Sequence, residues 1–215
     1  MTDPPPGRPI SPVGLVALGT CPGLPDDAFE HDGLVTKRPL RACALAELRP
    51  GPGQLLWDIG TGAGSIAIEW CRAGGPTARA VGFERVAERA ARARANAERL
   101  TAPGQLRVIE GDVITDLAAF AARHPREDSP AAVFVGGGCS EGTITTALGA
   151  LRPGGRFVAH AVTLDTEHVL VSSYRIHGGT LTRLAVETAE PLGSLLGWKP
   201  LRPVVQWSLT LPTDS

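Results

Sequence analysis

The sequence predicts an α/β fold: a Rossmann-like, seven-stranded, mostly parallel sheet that closes with a C-terminal antiparallel hairpin. Three observations carry this. Apolar runs of strand length alternate with segments of helical periodicity along most of the 215 residues, which is the pattern of a parallel sheet covered on both faces. The first of these strands runs directly into a glycine-rich turn, Gly60-Thr61-Gly62-Ala63-Gly64. The last two strand-like runs have no helix between them, and strands joined without a crossover helix pair antiparallel.

In chain order, residues 1–25 hold seven prolines and little apolar periodicity, and read as an arm or linker. Inside it, Val13–Leu18 is a short strand-like patch. The domain itself is expected over 26–215. A helix is predicted from Arg38 to Leu48, closed by Pro50-Gly51-Pro52-Gly53. Gln54–Ile59 is a buried strand, and a helix over Ser65–Arg72 follows the glycine turn. Arg79–Glu84 is the second strand. Val86–Leu100 is an Ala/Arg/Glu helix with a narrow face of Val86, Ala90, Ala93, Ala97 and Leu100. Leu106–Glu110 is the third strand, with a helix near Asp116–Ala122 and a polar loop to Pro130. Ala131–Val135 ends at Gly136-Gly137-Gly138. A helix over Gly142–Leu151 is closed by Arg152-Pro153-Gly154-Gly155. Arg156–Ala161 is the fifth strand and Glu167–His177 the next helix. Leu181–Ala189 and Val204–Leu211 are the late strands, with Gly/Pro-rich chain between them.

Bulk composition excludes several classes. The formal net charge is −1, so no charge excess points to nucleic acid or to a membrane surface. No run of about 20 apolar residues predicts a membrane span, and no signal peptide is read at the N-terminus. The four cysteines and five histidines show no ligand spacing. The expectation is reduced thiols in a cytoplasmic protein with no metal site. Five arginines at 85, 89, 92, 94 and 99 read as a solvated helix face, not a nucleic-acid surface, since no aromatic stacking platform accompanies them.

Ligands of open α/β sheets sit at the carboxyl ends of the strands. There the first strand offers Asp58, then Gly60, Thr61, Gly62, Ala63, Gly64 and Ser65. Gly62–Ala67 fits the relaxed G-x-G-x-x-A fingerprint, and Glu84 stands where a ribose-binding acid belongs. The loop alone therefore admits a nicotinamide-dependent oxidoreductase. Asp58 weighs against a pyrophosphate and toward a cation, and S-adenosylmethionine (SAM) carries an ammonium and a sulfonium. The sole tyrosine, Tyr174, lacks a lysine four residues on, so the Tyr-x-x-x-Lys pair of short-chain dehydrogenases is absent. With the antiparallel ending, the chain reads as a class I SAM-dependent methyltransferase. Glu84 can bind both ribose hydroxyls. Its neighbour Arg85 and the next strand end, Gly111, Asp112 and Val113, would border the nucleoside, with Asp112 equally a helix cap. Gly136 would face the sulfonium. Gly137, Gly138, Cys139 and His160 would line space for a large, flat substrate. A SAM-binding module without turnover, and a methyltransferase of another small molecule, stay open at this point.

Residues outside the loop narrow the class. The stretch Gly23–Arg38 contains Asp32-Gly33-Leu34-Val35-Thr36-Lys37; DIGTGAGSIAIE spans Asp58–Glu69, FVGGGC spans Phe134–Cys139 and AHAVTL spans Ala159–Leu164. Ala189-Glu190-Pro191-Leu192-Gly193, Gly197-Trp198-Lys199-Pro200 and Val205-Gln206-Trp207 come near the end. Together, from about residue 23 to 211, these resemble the decarboxylating precorrin methyltransferases of cobalamin biosynthesis. The chain is similar to the C-terminal half of a fused form, in which this domain follows a second methyltransferase; Val13–Leu18 would then be the tail of that half. The resemblance implies methylation of the carbon 15 meso position of a tetrapyrrole and decarboxylation of the acetate arm on carbon 12. It also implies a homo-oligomer, often a tetramer, and places Thr36 against SAM. A polycarboxylate substrate needs cations, for which Lys37, Arg38, Arg183, Lys199 and Arg202 are candidates. Glu30, His31 and Asp32 are the densest titratable cluster; at the pocket mouth His31 and Asp32, with Lys37, would manage a proton after decarboxylation, and a capping, loop-fixing role before the helix at Arg38 is equally open.

Overall fold

A computed structural model describes residues 18–111, 119–120 and 129–213. Its centre is a seven-stranded sheet in the order β3-β2-β1-β4-β5-β9-β6. The strands are β1 (Leu55–Ile59), β2 (Arg79–Glu84), β3 (Leu106–Glu110), β4 (Ala132–Val135), β5 (Arg156–Ala161), β6 (Thr180–Leu184) and β9 (Val204–Thr210). β1 through β5 are parallel neighbours. β9 runs antiparallel between β5 and β6. The order turns back at β1, where β2 lies on one side and β4 on the other, and such a switch point opens a crevice at the strand tips.

Alternation along β1 explains how the layers form. Leu56 faces one side, with Ala132, Phe134 and Val158, and meets Ala44, Leu45 and Leu48 of α1 (Arg38–Leu48) and Ile66, Ala67 and Trp70 of α2 (Ser65–Gly74). Trp57 and Ile59 face the other, with Phe83, Val133 and Phe157, against Ile144 and Ala147 of α4 (Glu141–Ala150) and Leu170 of α5 (Leu164–His177). Strands buried on both faces are apolar nearly throughout, and all four residues of β4 are buried. Helix α3 (Ala87–Leu100) buries Ala90, Ala93, Ala97 and Leu100, the narrow stripe expected of it. Small residues there let it lie close: a Cβ on Gly64 would meet the Ala93 methyl at 3.3 Å.

Element bounds match the sequence reading within a residue or two over most of the chain. Most of the helix expected near Asp116–Ala122, all but residues 119–120, and most of the 1–25 arm, including Val13–Ala17, lie outside the described residues. The C-terminal part differs. The predicted strand Leu181–Ala189 breaks into β6 and β7 (Glu187–Leu192), and the supposed irregular chain after it is β8 (Leu195–Pro200). β7 and β8 pair as a separate hairpin between β6 and β9. Its two-residue loop, Gly193-Ser194, has Gly193 at φ 61°, suited to a type II′ turn that needs glycine first. That dipeptide between leucine-rich runs was a legible hairpin signal, hidden by the nearby prolines.

Candidate active site

The cleft sits at the carboxyl tips of β1, β2, β4 and β5 and the start of β9. It encloses about 660 Å³, within the range of small-molecule sites. Its floor is built by two glycine loops in contact. Gly60 and Thr61 donate their N–H groups to Phe83 O at 2.9 and 3.0 Å, folding the β1 loop over the tip of β2. A Cβ on Gly60 would lie 2.7 Å from the backbone of Gly137, and Gly60 has φ 71°. Of the amino acids only glycine tolerates both conditions at this position.

Glu84 closes one end of the cleft. It is 5% exposed; Oε2 accepts from Gly62 N at 2.9 Å and Oε1 from Val86 N at 3.0 Å. Each oxygen is thereby fixed by one backbone donor and retains capacity for another. Gly60, Gly62, Arg85, Thr36 and Lys37 line the same end. Thr36 and Lys37 arrive on the segment before α1, which two buried polar side chains hold in place. Fully buried Arg41 reaches Glu69 at 2.8 Å, Asp26 at 2.7 Å, and the carbonyls of Thr36 and Leu24, with its guanidinium over the Phe29 ring. Asn96 accepts from Glu30 N and donates to Glu30 O and Ala63 O at 2.9–3.0 Å, tying that segment to the glycine loop. The sequence reading missed both. The available signal was position: Arg41 and Asn96 lie on the buried stripes of their helices, where a polar side chain must find partners.

Gly136 and Gly137, against the Gly60 loop, stand between the two ends; the opposite end is made by Gly138, His160, Val162, Leu201, Arg202 and Val204. His160 Nε2 lies 2.9 Å from Gln206 Oε1, and burial pushes its pKa down to about 4. The mouth carries Leu34 and Val162, 67% and 51% exposed, beside Lys37, Arg85 and Arg202.

Several expected site residues stand elsewhere. Asp58 does not reach the cleft wall. It is buried beneath the loop, where Oδ2 accepts from Thr61 Oγ1 at 2.6 Å and Ala67 N at 3.2 Å, and Oδ1 has no partner among the described residues. Burial raises its pKa to about 7, with Glu84 adding, against the lowering hydrogen bonds from Thr61 and Ala67. The charge argument drawn from Asp58 is therefore corrected to a structural one: it pins the loop to the start of α2. Thr61, Ala63, Gly64 and Ser65 shape the loop without lining the cleft. Cys139 packs on the core beside β4, and burial raises its thiol to about 11, an inert state. Arg183 pairs with Glu167 on the edge strand β6, and Lys199 with Glu190 on the hairpin; neither lines the cleft. His31 Nδ1 accepts from Gly33 N. Asp32 accepts from Leu34 N and is paired with Arg89 at 2.7 Å and Arg92 at 3.4 Å. The Arg89 hydrogen bond holds its carboxyl below the ordinary value against a smaller opposing effect of burial, which disfavours it as a proton donor near neutrality. Arg94 and Arg99 pair with Glu110 and Glu30, so this helix face is spent on internal ties. Asp112 and Val113 lie outside the described residues, and Gly111 ends the described chain there. Among the described residues no cluster of three His, Cys, Asp or Glu suits a metal.

Residues 27–211 match the family model described as the precorrin methyltransferase domain. The chain belongs to that family. It is 46% identical over 198 residues to the precorrin-6Y C(5,15)-methyltransferase [decarboxylating] of Sinorhizobium sp, covering 92% of this chain and 46% of that one. Against the probable cobalt-precorrin-6B C(15)-methyltransferase (decarboxylating) of Saccharolobus solfataricus it is 31% identical, covering 71% and 75%. The crystal structure of the C-terminal domain of precorrin-6Y C5,15-methyltransferase from Rhodobacter capsulatus superposes with a TM-score of 0.79 at 42% identity, covering 89% of this chain and 99% of that one. The chain thus spans about half the length of the first curated relatives it matches. Membership in this methyltransferase family decides against the oxidoreductase that the glycine fingerprint left open.

Proposed function

We propose that this domain binds SAM in the Glu84 half of the cleft and a precorrin in the other half, methylating the carbon 15 meso position and decarboxylating the acetate arm on carbon 12. The observation that carries the reading is Glu84: a carboxylate fixed by two backbone donors at the lip of a glycine-floored cleft. That arrangement fits a ribose diol, since both oxygens keep an acceptor position and the floor has no side chains to obstruct a nucleoside. Gly60, Gly62, Thr36, Arg85 and Gly136 would complete the holding set, with Gly111, Asp112 and Val113 bordering the base. When bound, SAM supplies a methyl group activated by the sulfonium.

The chain's own contribution is placement. A reduced tetrapyrrole has electron-rich meso carbons, so holding that carbon in line with the methyl group supplies much of the rate, on the order of 7–11 kcal/mol. Exposed Leu34 and Val162 offer apolar contact to a flat macrocycle, while Lys37, Arg85 and Arg202 surround the mouth. Carboxylate arms can pair with these cations while the ring stays on the apolar surface. Lys37, the member of the predicted catalytic set that lines the cleft, is the candidate for handling a proton after loss of carbon dioxide. The four free thiols fit a reducing, cytoplasmic setting. The exposed β7–β8 hairpin supports a homo-oligomer.

The deciding experiment incubates the protein with SAM and precorrin-6Y and reads the product mass. Gain of a methyl with loss of carbon dioxide is expected. Methylation without loss of carbon dioxide would separate the two activities, and binding of NAD but not SAM in calorimetry would overturn the reading.

A further inference from the structure

The half of the cleft formed by β4, β5 and β9 carries one uncharged polar side chain with no task in the reading above. His160 lines the cleft but is only 8% exposed. It is the direct cross-strand partner of Gln206 in the β5–β9 register, and their side chains meet at 2.9 Å. The ring stands edge-on to Phe134, centroids 5.1 Å apart. The ring's tilt is therefore set by its neighbours. Gln206 Oε1 faces Nε2, the arrangement in which Nε2 carries the proton and Nδ1 presents a bare lone pair. Nδ1 makes no hydrogen bond among the described residues, and it is not one of the buried atoms sealed without a partner; it opens on the cleft. The cleft lining that shares this end with it comprises Val162, Leu201, Val204, the glycines of the β4 loop and the cation Arg202. The low pKa of the buried ring keeps that lone pair free at neutral pH.

Once a bound ligand covers this acceptor and excludes water, leaving it unpaired is costly, so the ligand should supply a donor. The donor does not come from the ribose. Glu84 and His160 lie on strands β2 and β5, three strand spacings apart, roughly 14 Å. We propose that His160 accepts a hydrogen bond from a ring N–H of the tetrapyrrole, and that Gln206 is a positioning residue that holds the imidazole in the Nε2–H form. This rests on the precorrin reading of that half of the cleft. Drawing the N–H hydrogen toward Nδ1 enriches the conjugated nitrogen–carbon system and so favours attack by the meso carbon.

The test combines ¹⁵N NMR of histidine-labelled protein with kinetics. In the free protein, His160 should show protonated Nε2 and unprotonated Nδ1. Adding S-adenosylhomocysteine should leave Nδ1 nearly unmoved, and adding precorrin-6Y should shift it. His160→Phe, which keeps the ring packing, should raise KM for precorrin-6Y by about tenfold, one lost hydrogen bond, with SAM affinity by calorimetry unchanged. Gln206→Leu should add an Nδ1–H population and raise the same KM by less. A protonated Nδ1 in wild type, a shift with S-adenosylhomocysteine alone, or unchanged KM in both variants of an active enzyme would overturn the assignment while leaving the proposed function standing. Absence of methyl transfer by the wild-type protein would remove the parent reading and this one with it.

Discussion

At the residue scale, the cleft is controlled by a few carboxylates and one imidazole whose burial sets their behaviour. Glu84→Gln keeps shape but loses one acceptor and the charge, so SAM affinity should fall about 10- to 100-fold; an unchanged Kd in calorimetry would remove Glu84 from the ribose site. Asp58 and His160 make opposite demands on pH. Asp58 has a folded pKa of about 7 against an ordinary 3.8. Between those values the folded chain holds a proton that the unfolded chain has released, so its contribution is full below pH 3.8 and is lost as pH rises through 7. His160 has a folded pKa of about 4 against an ordinary 6.5. In that interval the unfolded chain binds the proton, so its contribution is full above pH 6.5 and is lost as pH falls through 4. Each slope is about 1.4 kcal/mol per pH unit, and between pH 4 and 6.5 they oppose one another. Asp58→Asn should unmask the His160 slope, so that stability gains more with rising pH in that window than it does in wild type. Parallel wild-type and variant curves in chemical denaturation would contradict this.

At the element scale, the segment before α1 is held over the glycine loop by a buried ion pair and not by secondary structure. Arg41 and Glu69 are both about fully buried, and Glu69 also accepts from Gly23 N and Leu24 N. Removing one charge strands the other in a medium that solvates it poorly. Arg41→Met should therefore cost about 3–5 kcal/mol. Arg41→Met combined with Glu69→Met should cost clearly less than the two single changes added together; strict additivity in urea melts would show that the two do not act as a pair. Strands and helices themselves were legible in the sequence because their periodicities are local. The pairings of Arg41 with Glu69 and of Asn96 with Glu30 were not, since those partners lie 28 and 66 residues away.

At the scale of the whole molecule, the β7–β8 hairpin stands apart from the main sheet, each of its strands pairing only with the other among the described residues. Its register pairs Ala189 with Trp198 and Pro191 with Leu196 on one face, while Glu190 and Lys199 bond on the other. Trp198 and Leu196 are 72% and 76% exposed. An isolated two-stranded hairpin is marginal in water, and exposed apolar faces of this kind are where contact surfaces are expected. If the proposed homo-oligomer forms through it, Trp198→Glu should lower the mass measured by light scattering while leaving far-UV circular dichroism unchanged; an unchanged mass would remove the hairpin as the contact. Among the described residues no helix is long and apolar enough to cross a membrane.

The sequence by itself determined the alternating layers, the glycine loop, the acid at the tip of β2 and, through the Asp32–Lys37 stretch, the resemblance to a precorrin methyltransferase. These follow from local periodicity and from short motifs whose chemistry depends on adjacent residues. Only the tertiary structure decided which polar groups face the cleft. Asp58, predicted at the cleft, points beneath the loop because α2 offers it a backbone donor; Arg183 and Lys199 are taken by nearer carboxylates. His160 gains its partner only when β9 inserts against β5, 46 residues on. A side chain's direction is set by what packs against it, and that packing is assembled from distant parts of the chain.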